Sequence, residues 1–539
     1  MAHRNPRRHL ATHEVANQPP PLEDVNLYTG DALLRDACAW SGAGVHADRL
    51  TRFGAQVGSA ETQAWCVQAN RTPPIFHPYN RYGERIDEVE FHPAYHELMR
   101  IGLEAGVSGA AWNVSEAGHA LHAALLFLMG QGDYGVCCPM SMTYAVVPAL
   151  RVAPAVAAEW APRVTAEAYD QRFIPAAEKR AATMGMAMTE KQGGSDVRAN
   201  STRAERQSDG SYILSGHKWF CSAPMSDAFL TLAYAKDGLT CFLVPRWRPD
   251  GSRNEIEIQR LKDKLGDRSN ASSEIEYRGA WAQAVGEEGR GVRTIIEMVG
   301  LTRFDCVIGS ATQMRQAASL ALWHVEGRAA FQKKLIDQPL MRAVLADLML
   351  DVEAAIALTF RLGRALDNAA DPSEAALARI GLPLAKYLVT KRAPTIVAEA
   401  MECHGGVGYV EETPLPRLFR QSPLNAIWEG SGNVIALDLL RALAREPDAK
   451  DALIAELRKG DAADEAETLL AKPLPESRAR HAIERLALAL AASTLAQHAP
   501  AAVSDAFRAR RFARSSLTFA AGDVAIDENA ILARAALRA

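Results

Sequence analysis

Glu429 is the side chain whose place in the sequence best suits acid–base chemistry. It follows the apolar residues of "NAIW" and precedes a Gly-Ser-Gly turn, after which helical spacing of apolar residues begins. Apolar surroundings disfavour a charged carboxylate, so such a residue can act as a general base. Glu429 could also cap the helix that starts within residues 430–433, where negative charge is favoured. The sequence therefore indicates proton abstraction, with helix capping as the alternative.

A Gly-Gly-Ser-Asp turn at residues 193–196 is the second candidate. Gly193 and Gly194 permit a tight turn with converging N–H groups, and Ser195 adds a hydroxyl donor, so the turn suits a bound diphosphate. An ordinary glycine-rich turn is the alternative. Taken alone, the segment does not distinguish a diphosphate-binding turn from an ordinary one.

Two further segments carry residues suited to a ligand. "GHKWFCSAP", residues 216–224, places aromatic and then small hydroxyl or thiol side chains at a strand end, where they could line a flat ring with polar edges. Its alternative is a plain strand with Trp219 and Phe220 in the core. "CHGGVGY", residues 403–409, is another glycine-rich turn and falls between two helical stretches.

The spacing of apolar residues changes twice along the chain. It is mostly helical to about residue 180, strand-like from roughly 186 to 283, and helical again from "RTIIEMVGL" onward. A β-module between two helical blocks predicts a mixed, mainly α protein. Its predicted parts are an extended, proline-rich N-terminal arm (1–40), an N-terminal helical domain (41–185), a central all-β domain (186–285), a helical bundle (286–445) and an extra C-terminal helical domain (446–539).

Composition and charge set outer limits on function. The 539 residues are 48 % hydrophobic and 23 % charged, which is ordinary for a globular protein, and the net charge of −4 gives no overall sign of a nucleic-acid partner. The eight cysteines lack Cys-x-x-Cys spacing, which predicts no metal site and reduced thiols in a cytoplasmic protein. Neither a signal peptide nor a bilayer-spanning segment of ~18–20 apolar residues is predicted, so no membrane role is expected.

These four segments and a fifth, "RAAF", taken in order, resemble the acyl-CoA dehydrogenase flavoprotein family over residues 90–445. "TEKQGGSD", "HKWFCS", "RAAF", "GGVGY" and "EGSG" stand in the order in which that family carries the corresponding segments. The resemblance implies an N-terminal helical domain, a central β-barrel domain and a C-terminal helical bundle that binds FAD, here with an extra helical domain. "LKDKLGDRSNAS", "TRFDC" and the arm "NQPPPLEDVNLY" are most similar to the family's DNA-alkylation-response branch.

The resemblance also implies noncovalent FAD and a set of residues that hold it. Phe220 would lie against the isoalloxazine ring and Ser222 would reach flavin N5. Arg328, Gln338 and the "GGVGY" loop would hold the FAD of a neighbouring subunit, which implies a homotetramer. The full set of implied cofactor residues is Met186, Met188, Thr189, Gly194, Ser195, Phe220, Ser222, Arg328, Gln338, Gly405, Gly406, Ile427, Trp428, Gly430 and Asn433.

Glu429 corresponds to the family's catalytic base, and Arg303 to an arginine near that base. The implied substrate is a small acyl-CoA or another flavin substrate, and the implied electron acceptor is an electron-transfer flavoprotein. Two departures from the family pattern, Lys191–Gln192 in the glycine turn and residues 420–423 before the base, predict weak, isovaleryl-CoA-like dehydrogenase activity.

A basic cluster in the C-terminal block is the last candidate. Between Lys472 and Arg514, eight lysines and arginines oppose three acids, a local excess of +5. The branch resemblance implies that this block binds double-stranded DNA, whereas a solvated helix face is the alternative. The predicted DNA-binding residues are Lys472, Arg478, Arg480, Arg508, Arg510, Arg511 and Arg514.

Three functions are therefore compatible with the sequence. The first is an FAD-containing protein that binds DNA and protects it from alkylation damage. The second is an ordinary acyl-CoA dehydrogenase of branched-chain or fatty-acid catabolism without a DNA role. The third is a regulator that keeps FAD as a structural element. Retardation of duplex DNA by the purified protein separates the first two.

Overall fold

The computed structural model describes residues 7–512 and 526–537, and the chain forms two compact units. The first unit contains residues 1–64, 119–132 and 306–539, and the second contains residues 65–118 and 133–305. The predicted N-terminal helical domain is therefore divided between the units. The predicted all-β domain lies wholly in the second.

Helices dominate the described chain, so the prediction of a mixed, mainly α fold is confirmed. The helices are α1 (Ala32–Ser41), α2 (Ala47–Val57), α3 (Ala60–Arg71), α4 (Pro93–Glu104), α5 (Ala110–Asn113), α6 (Gly118–Gly130), α7 (Cys137–Arg151), α8 (Pro154–Val164), α9 (Gly291–Gly327), α10 (Pro339–Asp367), α11 (Pro372–Cys403), α12 (Leu415–Gln421), α13 (Gly432–Arg445), α14 (Pro447–Lys459), α15 (Ala463–Leu470), α16 (Ala479–His498), α17 (Ala501–Phe507) and α18 (Glu528–Ala535). Across residues 7–512 and 526–537, none of them has the length and hydropathy needed to span a membrane.

The strands form one large sheet and two short pairs. They are β1 (Ile75–Tyr79), β2 (Arg85–Glu90), β3 (Met184–Ala187), β4 (Arg203–Arg206), β5 (Tyr212–Ser222), β6 (Ala228–Ala235), β7 (Gly238–Pro245), β8 (Ile256–Leu261), β9 (Ser272–Ala284), β10 (Ala329–Ala330) and β11 (Lys333–Lys334). In the large sheet, β6, β4, β5, β9 and β7 pair in that order and β7 pairs back to β6, while β3 joins β6 and β8 joins β9. Closure removes free strand edges, and the predicted β-barrel is confirmed.

The β1–β2 hairpin was not predicted. The spacing of apolar residues is mostly helical to about residue 180 and gave no sign of strands here, but Ile75–Tyr79 pairs antiparallel with Arg85–Glu90. The Asn80 side chain closes the loop, since its Oδ1 accepts hydrogen bonds from the N–H groups of Tyr82 and Glu84 at 2.9 and 3.0 Å. This local Asx-type turn supplies the reversal that the strands need.

The N-terminal arm is shorter than predicted, because α1 begins inside the range assigned to it. Asp31 caps α1 by accepting hydrogen bonds from the N–H groups of Leu33 and Leu34 at 3.0 and 3.3 Å. The other carboxylate oxygen of Asp31 pairs with Nε of Arg315 on α9 at 2.8 Å, and both side chains are fully buried. The arm therefore ends before Ala32.

The long helices of the first unit pack into one bundle. Helices α10 and α11 lie against each other, α16 packs on both, and α14 packs on α11. The Arg361 guanidinium joins three of these helices, since it donates to Glu374 at 2.7 Å and to Glu456 at 2.7 Å. The C-terminal block predicted as an extra domain thus packs within the same compact unit as the bundle.

Candidate active site

Glu190 organises the glycine turn of the second unit. Its carboxylate accepts hydrogen bonds from the N–H and hydroxyl groups of Ser201 and Thr202, from Nε2 of Gln192 at 2.8 Å and from Nζ of Lys218 at 2.8 Å. The side chains of Glu190 and Lys218 are both 0 % exposed. Burial by itself would raise the pKa of Glu190, but the hydrogen bonds and the Lys218 charge outweigh it and hold the pKa well below its usual range. Glu190 therefore stays ionised.

The turn itself is open where a ligand would approach. Gly193 has a φ of +142° and no atom near the position of an added Cβ, whereas a Cβ on Gly194 would lie 2.4 Å from Oγ1 of Thr189. Ser195 beside them is exposed. A short stretch of glycine backbone with an exposed hydroxyl fits a diphosphate, and the assignment of FAD to this turn remains a prediction.

The aromatic segment lies next to this turn. The N–H of Trp219 on β5 donates to the carbonyl oxygen of Thr189 at 2.7 Å, which joins the two sequence candidates. Phe220 is 49 % exposed, so its predicted alternative as a core residue is wrong. Half-buried Ser222 follows, with its hydroxyl 3.2 Å from that of Ser272. An exposed ring followed by a hydroxyl fits the isoalloxazine contact implied for Phe220 and Ser222.

The implied cofactor residues are divided between the two units. In the second unit lie Met186, Met188, Thr189, Gly194, Ser195, Phe220 and Ser222, of which the two methionines and Thr189 are half-buried. In the first unit lie Arg328, Gln338, Gly405, Gly406, Ile427, Trp428, Gly430 and Asn433, together with the predicted base Glu429. Arg303 is half-buried on α9.

Lys386 fixes the backbone around Glu429. Glu429 has a φ of +57° and Gly430 a φ of +101°, so the chain is in the left-handed region at both residues. Nζ of the buried Lys386 on α11 donates to the carbonyl oxygens of Trp428 at 3.0 Å and Gly430 at 2.7 Å. One ammonium group thus holds the peptides on both sides of the half-buried Glu429. The sequence gave no sign of this role, because Lys386 lies over forty residues away on a helix.

The helix-capping alternative for Glu429 is not supported. Helix α13 begins at Gly432, and its N-cap residue is Ser431, two positions after Glu429. Strain in a non-glycine residue is typical of functional positions rather than of helix starts.

The N-terminal arm anchors the segment that contains Arg328. Nη1 of Arg328 donates to the carbonyl oxygen of Asn17 at 2.9 Å, while the Asn17 side chain bonds both the N–H and the carbonyl of Ala329. Nε2 of Gln338 donates to the carbonyl of Ala330 at 3.3 Å. In the exposed "GGVGY" loop, Gly405 has a φ of +64° and added Cβ atoms on Gly405 or Gly406 would meet nothing. The loop is therefore free to approach a ligand.

The structure corrects the predicted basic cluster. Arg511 is 12 % exposed and pairs with Asp347 and Asp351 of α10 at 3.1 and 2.9 Å. Arg510 is buried as well. Arg508 donates to the carbonyl oxygens of Gly460 and Asp461, both at 2.6 Å. These three arginines hold α10 and the 460–461 turn, and they are not available as a phosphate-binding surface.

The rest of the basic cluster remains a prediction. Lys472 follows the end of α15, Arg478 is the N-cap residue of α16 and Arg480 lies in its first turn; all three are exposed, and Nε of Arg480 lies 3.2 Å from the hydroxyl of Tyr387. Arg514 lies outside the described residues. The exposed part of the cluster is therefore at residues 472–480.

The second unit contains a closed barrel with an open glycine turn and an exposed aromatic ring. The first unit contains a helical bundle with a glutamate whose backbone is constrained. Together these features define a flavin-dependent dehydrogenase. Three family domains match in order: "Adaptive response protein AidB N-terminal domain" over residues 17–171, "Acyl-CoA dehydrogenase, middle domain" over 185–280 and "Acyl-CoA dehydrogenase, C-terminal domain" over 289–444. The chain belongs to the acyl-CoA dehydrogenase family, whose members are FAD-dependent oxidoreductases acting on CH–CH bonds, and its cofactor is FAD.

Two known proteins illustrate the relationship. AidB of Escherichia coli (strain K12) is 48 % identical over 448 residues, which cover 83 % of this chain and 83 % of AidB. The solved structure of Caenorhabditis elegans ACDH-11 in complex with C11-CoA superposes with a TM-score of 0.84 at 30 % identity and covers 93 % of each chain. The sequence-based assignment to this family and to its AidB-like members is confirmed.

Proposed function

We propose that this protein dehydrogenates acyl-CoA thioesters, with Glu429 as the base that removes the proton next to the thioester carbonyl. The observation that carries the proposal is the clamp of Lys386 on the peptides that flank Glu429. A general base must be held within reach of the proton that it removes, and a fixed backbone supplies that positioning.

The chain's own residues divide the remaining work. The N–H of Gly194 and the hydroxyl of Ser195 would bind the diphosphate of FAD, since the N–H of Gly193 donates to the carbonyl oxygen of Glu190 at 3.0 Å and closes the turn. Phe220 would contact the ring system and Ser222 would donate a hydrogen bond to it. When bound, FAD supplies the acceptor for the electron pair that leaves the CH–CH bond. Glu429 takes up the proton, and the Lys386 clamp keeps its carboxylate in place during the transfer.

Anaerobic mixing of the FAD-loaded protein with acyl-CoA tests this proposal. We expect loss of the oxidised-flavin absorbance with isovaleryl-CoA, at a rate below the ~10 s⁻¹ that is typical of enzymes, because Gln192 is tied into the turn by hydrogen bonds to Glu190 and Ala199. Long-chain thioesters belong in the same series. Protein that keeps its flavin oxidised with every thioester, while binding FAD, would contradict the proposal.

We also propose that the protein binds double-stranded DNA and protects it from alkylation, as a cytoplasmic homotetramer. The support is its resemblance to the DNA-alkylation-response branch, together with the exposed Lys472, Arg478 and Arg480. Cations bind duplex chiefly through phosphates, so this binding would be largely independent of sequence. An electron-transfer flavoprotein is the proposed acceptor for the reduced cofactor.

Replacing Lys472, Arg478 and Arg480 with glutamine should weaken binding to every duplex alike. Each phosphate contact contributes about −0.9 to the slope of log affinity against log salt, so the slope should flatten by roughly 2 to 3. Fluorescence anisotropy over a salt series measures this, with the oligomeric state checked by light scattering. The matched control replaces Arg203, Arg206 and Arg268, exposed arginines of the second unit, with glutamine. Equal slopes in wild type and the 472–480 variant would assign any DNA binding to another surface.

A further inference from the structure

Three buried glutamines in the first unit have polar atoms without hydrogen-bond partners. They form the amide cluster, Gln131 at the end of α6 and Gln313 and Gln316 on α9, with exposures of 2, 0 and 7 %. Nε2 of Gln131, both amide atoms of Gln313, and Oε1 of Gln316 are buried and unpaired. Buried polar atoms in native proteins nearly always have a partner, so four orphans in one place require an explanation.

Contacts between the two helices bring the amide cluster together. Nε2 of Gln316 donates to the carbonyl oxygen of Gln131 at 2.5 Å, and the Thr312 hydroxyl donates to the carbonyl oxygen of Phe127 on α6. Gln313 lies one position after Thr312 and three before Gln316, at the edge of this α6-facing stripe of α9. Gln313 and Gln316 are therefore about 60° apart around α9, and Gln316 is bonded to the backbone of Gln131.

The neighbouring side of α9 is bonded to the loop that carries the proposed base. Nδ2 of Asn425 donates to the hydroxyl of Ser310 on α9 at 3.1 Å, and Nε1 of Trp428 donates to Oδ1 of Asn425 at 2.8 Å. With 3.6 residues per turn, residues three positions apart are displaced by about 60° around the helix, which applies to 310, 313 and 316. Gln313 thus lies between Ser310, which is hydrogen-bonded to the Glu429 loop, and Gln316, which is bonded to Gln131.

We propose that the amide cluster is a specificity site that binds a neutral hydrogen-bonding group, such as a hydroxyl, on the acyl chain of the substrate. The inference rests on the proposed acyl-CoA dehydrogenation. The cluster offers unpaired donors on Gln131 and Gln313 and unpaired acceptors on Gln313 and Gln316. A hydroxyl both donates and accepts, so it can satisfy both kinds of atom, whereas an unsubstituted methyl group would leave them all unpaired.

A charged group is the competing ligand, because a guanidinium lies nearby. Nη2 of Arg417 on α12 donates to the carbonyl oxygen of Gly132, next to Gln131, at 2.9 Å, and its Nη1 is buried without a partner. A carboxylate would pair with Arg417 but would leave the acceptor oxygens of Gln313 and Gln316 unpaired. The amide oxygens therefore favour the neutral group.

Three thioesters of one chain length separate these possibilities: valeryl-CoA, its ω-hydroxy derivative and glutaryl-CoA. Binding to the FAD-loaded protein is measured by titration of the flavin spectrum and by calorimetry. We expect the ω-hydroxy thioester to bind at least ~10-fold more tightly than valeryl-CoA, since a site built for a hydroxyl rejects the analogue without it. Gln313→Leu should reverse this preference. Gln131→Leu is the second variant, and Gln56→Leu, at an exposed glutamine of α2, is the control.

Each outcome decides the proposal. Equal affinities for the valeryl and hydroxy compounds would make the amide cluster a structural, water-filled feature, and tightest binding of glutaryl-CoA would assign the site to Arg417 and a carboxylate. In both cases flavin reduction by thioesters would still support the proposed function. If none of the three bind and no thioester reduces the flavin, the proposed function and the specificity site both fail. A crystal structure with the hydroxy thioester should show its hydroxyl on Gln313.

Discussion

Glu429→Gln is expected to lower the rate of flavin reduction by acyl-CoA by about two to four powers of ten. The substitution keeps the size of the side chain and removes its ability to accept a proton. The Lys386 clamp bonds to the carbonyl oxygens of Trp428 and Gly430, so the backbone of the loop should keep its geometry in the variant. Thioester binding should therefore persist while proton removal fails.

Stopped-flow measurement of flavin reduction, with FAD content determined on the same samples, checks this expectation. Glu412→Gln, at an exposed glutamate after the "GGVGY" loop, is the matched control and should reduce at the wild-type rate. Wild-type reduction by the Glu429→Gln protein would place the base elsewhere. Loss of FAD from this variant would instead make Glu429 a residue that shapes the cofactor site.

The sequence predicted those parts of the molecule that depend on local spacing. Alternation of apolar residues indicated the barrel, because successive side chains of a strand point to opposite sides. Helical periodicity indicated the bundle, and the glycine turn at Gly193–Ser195 was located from residue types that only a tight, open turn requires. The Asn80 turn was readable in principle, since an Asx turn between two β-prone runs is a hairpin signal.

What the sequence could not supply were partners far away along the chain. The arginines of "RARRF" have the composition of a phosphate-binding run, yet Arg511 is neutralised by Asp347 and Asp351 on a helix about 160 residues earlier. The same limit applies to Lys386 and to Asn17, whose positions in the sequence carry no sign of the loops that they hold. A charge run shows which sign of charge is present, whereas burial and pairing decide whether it can bind a ligand.

The role of Glu190 is the remaining feature that only the fold could show, and its removal should have the largest effect on stability. Glu190→Gln leaves the Lys218 ammonium buried without its charged partner, and breaking a buried ion pair in this way typically costs about 3–5 kcal/mol. The carboxylate also joins the turn that precedes Gly193 to Ser201 and Thr202. We therefore expect both a lower melting temperature and weaker FAD binding.

A double-mutant cycle with Lys218→Met separates the ion pair from the turn. The double variant removes both buried charges, so it should recover much of the stability lost in either single variant, since replacing a whole buried pair is far less costly than breaking it. FAD affinity should not recover, because glutamine and methionine cannot restore the charged hydrogen bonds that Glu190 accepts from the N–H groups of Ser201 and Thr202.

Circular dichroism melts measure the stability of these variants, and the temperature of flavin release, followed by fluorescence, measures how firmly they hold FAD. Glu205→Gln, at an exposed glutamate of β4, is the control. If FAD affinity recovers together with stability, the turn needs no carboxylate at position 190 and only the unpaired buried charge was harmful. If stability alone recovers, the Glu190 carboxylate is the group that shapes the cofactor turn.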